Sequence, residues 1–271
     1  MVKDLLYTVY IKNVFGGTIM SIPVYKVQDL VKTYHQRSGN SNGEDVQALT
    51  GASFSVEKGE FVCIMGRSGC GKTTLLKILG LLDRDYEGTM LFNGELARGF
   101  HSSRRTELRR RNIGFIFQDY ELMPSLTIRE NISLPMVFDK RPSAEISARI
   151  DSLAKLLMIK PFLNLFPYEL SGGQKQRVAI CRALSNEPDV ILADEPTGNL
   201  DSKSGETVIQ LLSNMNQKYG QTVIMVTHDP KMASFTDRII FLKDGKIIDH
   251  LQKSNDRNEF YKQIIEHIAL L

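Results

Sequence analysis

The chain has 271 residues, 42% hydrophobic and 24% charged, which suits one large core or two small domains of ordinary globular composition. Its net charge of +3 is too small to argue for a nucleic-acid partner. No apolar run is long enough to span a bilayer, and three cysteines without CxxC spacing argue against a disulfide framework or a zinc site, so a reduced, cytoplasmic setting fits.

Residues 1–20 are apolar in part but are broken by Lys3, Asp4, Lys12 and Asn13, a poor pattern for a signal peptide. They read as an N-terminal extension, residues 1–21, with Met20 as an alternative start. Residues 24–34 read as a strand, and the polar stretch 36–45 as a surface loop. Phe54 and Val56 alternate with Ser53 and Ser55 in a half-buried strand, and FVCIM at 61–65 suits the middle of a sheet. A helix is expected from Lys72 to Leu82, and a turn at Asn93-Gly94.

The middle third is helical in pattern. Thr127 and Glu130 have capping-box spacing. Residues 143–158 carry Ile146, Ile150, Leu153 and Leu157 on one stripe, and Ser171 to Ser185 reads as another helix. Residues of about 119–185 therefore form a helical subdomain between strand-rich parts. VILAD at 190–194 and TVIMVTH at 222–228 are further buried strands, and IGFIFQ, ending at Gln118, is another. Residues 238–250 read as a hairpin with a Lys243-Asp244-Gly245-Lys246 turn, and the tail from Glu259 as an amphipathic helix. Strands alternating with helices imply an α/β core with parallel strands.

Residues 66–73, GRSGCGKT, lie between an apolar strand and a helix and fit a P-loop. Gly66, Gly69 and Gly71 let backbone N–H groups curl inward around phosphate oxygens, with Arg67, Ser68, Cys70 and Thr74 completing the turn. Lys72 should reach the β- and γ-phosphates, and Thr73 should bind Mg²⁺ through its hydroxyl. Cys70 reads either as a small residue that fits the loop or as a thiol of lowered pKa near a helix N-terminus. VILADE at 190–195 ends a buried strand in two acids; Asp194 is placed to hold the Mg²⁺ shell and Glu195 to act as general base for a water. His228 and Gln118 also end strands. Each is either a plain strand-end residue or a group facing the phosphates, Gln118 with its amide toward Mg²⁺ or the water. LSGGQ at 170–174 forms a second grip: Ser171 offers a hydroxyl, Gly172 and Gly173 offer N–H groups, and a helix begins there. The first grip already surrounds its phosphates, so the second is useful if two chains meet head to tail.

Over residues of about 22–250 the chain resembles the ATPase subunit of ABC transporters. The resemblance implies an α/β P-loop NTPase core of the ABC ATPase kind, with an antiparallel β part and an inserted helical subdomain, followed by a C-terminal helix in 251–271. It also implies ATP and Mg²⁺ as cofactors. Tyr34 stands where an adenine-stacking aromatic is expected. GRSGCGKT resembles Walker A, Gln118 the Q-loop glutamine, LSGGQKQR the signature including Gln174, VILADE Walker B and His228 the switch histidine. GNLD at 198–201 resembles the D-loop, with Asp201 at the dimer seam. The family implies a head-to-tail dimer with ATP sandwiched between copies, acting on a membrane permease from the cytoplasmic face. ILGLLDRDYEGTMLFNG, the stretch around Gln118 and DEPTGNLDS resemble the group with macrolide, bacitracin-type and lipoprotein-release ATPases. That group suggests a peptide, lipoprotein or antibiotic as cargo. Two other readings are an ATPase that signals mechanically through a membrane partner and a soluble ABC ATPase acting on nucleic acid. The single cassette without heptad arms disfavours the second of these.

The run RRTELRRR at 104–111 reads as a solvated helix face rather than a nucleic-acid patch, since no aromatics interleave it. Phe117, Tyr120, Leu122, Met123 and Leu126 either form a groove for a permease helix or pack the helical subdomain internally.

Overall fold

The structure, a computed structural model, describes residues 22–35, 45–254 and 256–269. The N-terminal extension, the alternative start at Met20 and nearly all of the 36–45 loop lie outside the described residues.

Two sheets carry the fold. The smaller is antiparallel, in the order β2-β1-β4-β5, formed by β1 (Tyr25–Tyr34), β2 (Val46–Val56), β4 (Glu87–Phe92) and β5 (Glu95–Leu96). The larger has the order β10-β9-β3-β8-β7-β6. It comprises β3 (Phe61–Met65), β6 (Ile113–Ile116), β7 (Val190–Asp194), β8 (Thr222–Thr227), β9 (Arg238–Lys243) and β10 (Lys246–Gln252). Its strands pair in parallel except β10, which returns from β9 as the expected hairpin. This last strand runs two residues beyond the expected boundary at 250.

Strand β3 shows why the sheet lies where it does. All five of its residues are buried, and they alternate between two cores. Phe61, Cys63 and Met65 join Ile132, Leu153 and Val178 in the core under the helical region. Val62 and Ile64 join Leu75, Leu76 and Val27 in the core shared with the antiparallel sheet. Successive side chains of a strand point to opposite faces, so an unbroken apolar run requires a core on each side.

Helix α1 (Lys72–Leu79) stops short of Leu82 because Leu81 turns into the left-handed region, at φ 57, and Leu82 N donates back to Lys77 O at 2.9 Å. Helix α2 (Ser102–Arg111) carries the arginine run, and here the sequence reading needs correcting. Arg110 and Arg111 pair with Asp139, Arg111 also pairs with Glu107, and Arg105 and Arg109 donate to Leu81 O. The run is largely consumed in fixing α2 to its neighbours rather than standing free in solvent. The helical region holds α3 (Ile128–Phe138), α4 (Ser143–Leu156) and α5 (Gly172–Leu184). Thr127 caps α3 with the expected box: Glu130 N donates to its hydroxyl, and Thr127 N donates to the Glu130 carboxylate at 2.7 Å. Ile150, Leu153 and Leu157 are buried as their stripe requires. Helices α6 (Ser202–Tyr219), α7 (Pro230–Ala233) and α8 (Arg257–Ala269) complete the order. No helix among the described residues is long and apolar enough to cross a membrane.

Candidate functional site

The parallel strands deliver the motif residues to one edge. Met65 is in register with Thr227, Asp194 with Val226 and Ile116 with Ala193. The segments that follow these strands hold the GRSGCGKT loop, His228, Glu195 and Gln118. They therefore leave the sheet at its C-terminal end, where open α/β sheets bind ligands.

A cavity of about 290 Å³ sits there, lined by Ala48, Ser68, Gly69, Gly71, Lys72, Thr73, Thr74 and Glu195. Gly71 is at φ +104 just before α1, and a Cβ on it would stand 2.2 Å from Ala48 O. Only glycine fits that turn. Lys72 is buried, and its ammonium donates to Gly66 O and Arg67 O, each at 2.9 Å. The KDGK turn braces the loop, with Gly245 N donating to Cys70 O at 3.2 Å. Tyr34 ends β1 opposite Val46, in the strand pair that also carries Ala48, with the Lys32 ammonium 4.8 Å from its ring centre.

Thr73 Oγ1 donates to Asp194 Oδ1 at 3.3 Å. Burial, together with the neighbouring Glu195 charge, pushes the Asp194 carboxyl above the usual carboxylate range, against the pull of the Thr73 hydrogen bond. A hydroxyl beside a carboxyl whose charge is disfavoured by burial is a fitting pair of oxygen donors for Mg²⁺, which the cation's charge would favour in ionised form. Glu195 follows β7 in the left-handed region, at φ 43, a conformation costly for a residue with a side chain. Its N–H donates to Val226 O at 3.0 Å, so β8 holds it there. Its Oε2 lies 3.2 Å from His228 Nδ1, which brings the two predicted catalytic side chains together. The third is turned elsewhere: Gln118 Nε2 donates to Asn199 Oδ1 at 3.3 Å.

For Cys70 the structure favours the small residue that fits the loop over the activated thiol. The thiol is buried, and burial pushes its pKa up, outweighing the pull of the Lys72 charge. A nearby helix N-terminus does not make it a reactive thiolate. Alkylation by iodoacetamide at neutral pH is expected to be slower than for a free cysteine, to keep accelerating above the usual thiol range, and to vanish in Cys70→Ala. Mass spectrometry of the modified peptide against pH checks this, and a rate that levels off below about pH 8 would contradict it.

The LSGGQ turn forms a different cavity, of about 150 Å³, lined by Ser171, Gly173, Arg177, Lys203, Ser204 and Thr207. Ser171 caps α5: Gln174 N donates to its Oγ at 3.4 Å, and Ser171 N donates to Gln174 Oε1 at 2.9 Å. The hydroxyl hydrogen remains a donor for an outside acceptor. Gly172 packs close to the Tyr120 hydroxyl and Leu200. Asp201 caps α6, its Oδ1 accepting from Lys203 N and Ser204 N at 3.1 and 3.0 Å, and these bonds hold its carboxyl below the usual range. Sequence reasoning missed Arg177 and the Lys203, Ser204 and Thr207 face. The signal was helical spacing, since Arg177 stands one turn beyond Gly173.

A third cavity, of about 600 Å³, opens between α2, α3 and α5. Phe117 lines it, stacked on Phe115 with ring centres 5.5 Å apart. Of the five residues read as a groove, only Phe117 lines it, because Leu122 packs into the helical core and Tyr120 turns toward Gly172.

The family description for ABC transporters matches residues 49–198. The ABC transporter ATP-binding protein YvcR of Bacillus subtilis (strain 168), itself uncharacterized, is 45% identical over 248 residues, covering 92% of this chain and 95% of that protein. The bacitracin export ATP-binding protein BceA of Halalkalibacterium halodurans is 42% identical over 226 residues, covering 83% of this chain and 89% of that one. The dimeric structure of the ATP-binding cassette MJ0796 of Methanocaldococcus jannaschii, in a post-hydrolysis state bound to ADP and Pi, superposes with a TM-score of 0.76 at 41% identity, covering 86% of this chain and 100% of that one. Fold, motif order and similarity agree: the chain belongs to the ABC transporter family as an ATP-binding subunit, an ATPase on the P-loop cassette fold.

Proposed function

We propose that the chain is the motor subunit of an exporter-type system, closing head to tail on a second copy when ATP binds and driving a membrane permease from the cytoplasmic face. One observation carries this reading: the two phosphate grips line separate cavities that share no residue. Each chain thus offers two complementary halves, and a head-to-tail pair completes two sites. The dimeric form of MJ0796 supports the pairing. The bacitracin export role in the name of BceA supports a peptide, lipoprotein or antibiotic as cargo.

In this reading the P-loop N–H groups from Gly66 to Thr74 and the Lys72 ammonium hold the phosphates, and Tyr34 stacks on adenine. Thr73 and Asp194, with Gln118, would hold Mg²⁺, which when bound offsets phosphate charge. Glu195 takes the proton of the attacking water, and His228, beside it, orients that water against the γ-phosphate. Ser171, Gly172, Gly173 and Gln174 of the second copy close the far side, with Asp201 at the seam. The 600 Å³ cavity, walled by Phe115, Phe117 and Phe138, receives an apolar helix of the permease.

Tagging the chain in its native cell, solubilising membranes gently and identifying what co-purifies tests the partner. The expected companion is a permease with few membrane helices and a large external domain. Ribosomes or nucleic acid in the soluble fraction, with no membrane companion, would overturn the transporter reading and leave the ATPase chemistry standing.

A further inference from the structure

The Gln118 amide makes no hydrogen bond to Thr73, Asp194 or Glu195 among the described residues; its partner is Asn199 of the GNLD turn. Asn199 returns two bonds. Its Nδ2 donates to Gln118 O at 3.2 Å and to Asp119 Oδ1 at 2.8 Å. The neighbouring Gly198 leaves room for the amide to lie there, since a Cβ at that position would stand 2.9 Å from Gln118 Nε2 and 3.0 Å from its Cδ.

The backbone beyond Gln118 is held from another direction. Tyr120 and Glu121 both sit in the left-handed region, at φ 64 and 49. Arg182 of α5 donates to Tyr120 O at 2.9 Å and also to Glu121 O. Arg182 holds the loop at Tyr120 and Glu121, Asn199 holds it at Gln118 O and Asp119, and Asn199 with Gly198 also holds the Gln118 side chain. Moving the amide toward the phosphates therefore requires breaking the Asn199 bond without refolding the loop.

We propose that Asn199 and the bare backbone of Gly198 form a resting cradle for the Gln118 amide, making Asn199 a positioning residue that must release Gln118 before it engages the ATP site. The proposal rests on the reading of Gln118 as a ligand of that site. A cradle of this kind lowers the fraction of chains ready to bind, and apparent affinity falls by the same fraction.

Asn199→Ala and Gly198→Ala attack the cradle independently. The first removes its hydrogen bonds, and the second pushes out the mobile end of a flexible side chain without straining the backbone. Each is expected to lower KM for ATP about threefold, more than it alters kcat, as loss of a weak exposed amide hydrogen bond allows. In a Gln118→Ala background neither should lower KM further. The Gln118 side-chain amide resonance of the nucleotide-free protein, seen with ¹⁵N-glutamine labelling, should shift in both variants. An unchanged KM and resonance, beside a Gln118→Ala protein that hydrolyses slowly, overturns the cradle alone. The same fall in KM in the Gln118→Ala background also overturns it. A Gln118→Ala protein with wild-type kinetics removes the ATP-site role of Gln118, and the proposal with it.

Discussion

Glu195→Gln is expected to keep its ATP and to lose hydrolysis by a factor of about a hundred to ten thousand, the usual worth of a positioned general base. The amide matches the carboxylate in shape but does not take a proton from water. Glu195 is well held for that task. Its N–H is bonded to Val226 O, its carbonyl accepts from Gly198 N at 3.0 Å, and its carboxylate lies 3.2 Å from His228 Nδ1. A residue kept at φ 43 by its neighbours is set in one direction before any ligand arrives. In the proposed head-to-tail pair, blocked hydrolysis leaves no route to opening, so light scattering should show a dimer in ATP and a monomer in ADP. Hydrolysis at the wild-type rate would remove Glu195 from the role of base.

Lys72→Ala is expected to weaken ATP binding about a hundredfold, close to 3 kcal/mol, the worth of one or two charge-assisted hydrogen bonds. Lys72 is 6% exposed, and its ammonium is bonded to two loop carbonyls, with no carboxylate paired to it among the described residues. An unneutralised cation in that position is matched by a phosphate. The fold should survive, because Gly66 and Arg67 are not buried and water can replace the lost donor. Calorimetric titration with ATP checks this, and affinity within threefold of wild type would show that the N–H groups carry the phosphates alone.

The sequence made the Walker A loop legible because strand, glycine turn and helix follow one another without interruption, so that local chemistry and long-range position agree. The same holds for VILADE, where a buried strand ends in acids and register with β8 places them. Strand β4 was not legible, since Glu87–Phe92 is short, carries Gly88 at φ +85 and gains its place only by pairing with β1. The capping role of Ser171 was legible in principle: its spacing to Gln174 is that of Thr127 to Glu130, but the glycines between drew attention to phosphate instead. Of the two readings of Cys70, the activated thiol fails because a helix N-terminus suggests a low pKa while burial acts the opposite way and prevails. The arginine run misled because its acceptors, Asp139 and Leu81 O, lie far along the chain or on the backbone, and no local pattern announces them.

If each ATP is shared between two copies, mixing two inactive variants restores hydrolysis. Lys72→Ala breaks the first grip and Ser171→Arg the second. In a head-to-tail mixed pair, one site joins the two broken grips and the other joins two intact ones. Equal mixing should therefore restore about a quarter of wild-type ATPase activity, since half of the pairs are mixed and each holds one whole site. If both grips instead served the nucleotide of their own chain, every site would keep one broken grip. Activity would then stay at the sum of the two variants measured alone, and the shared-site account would be wrong.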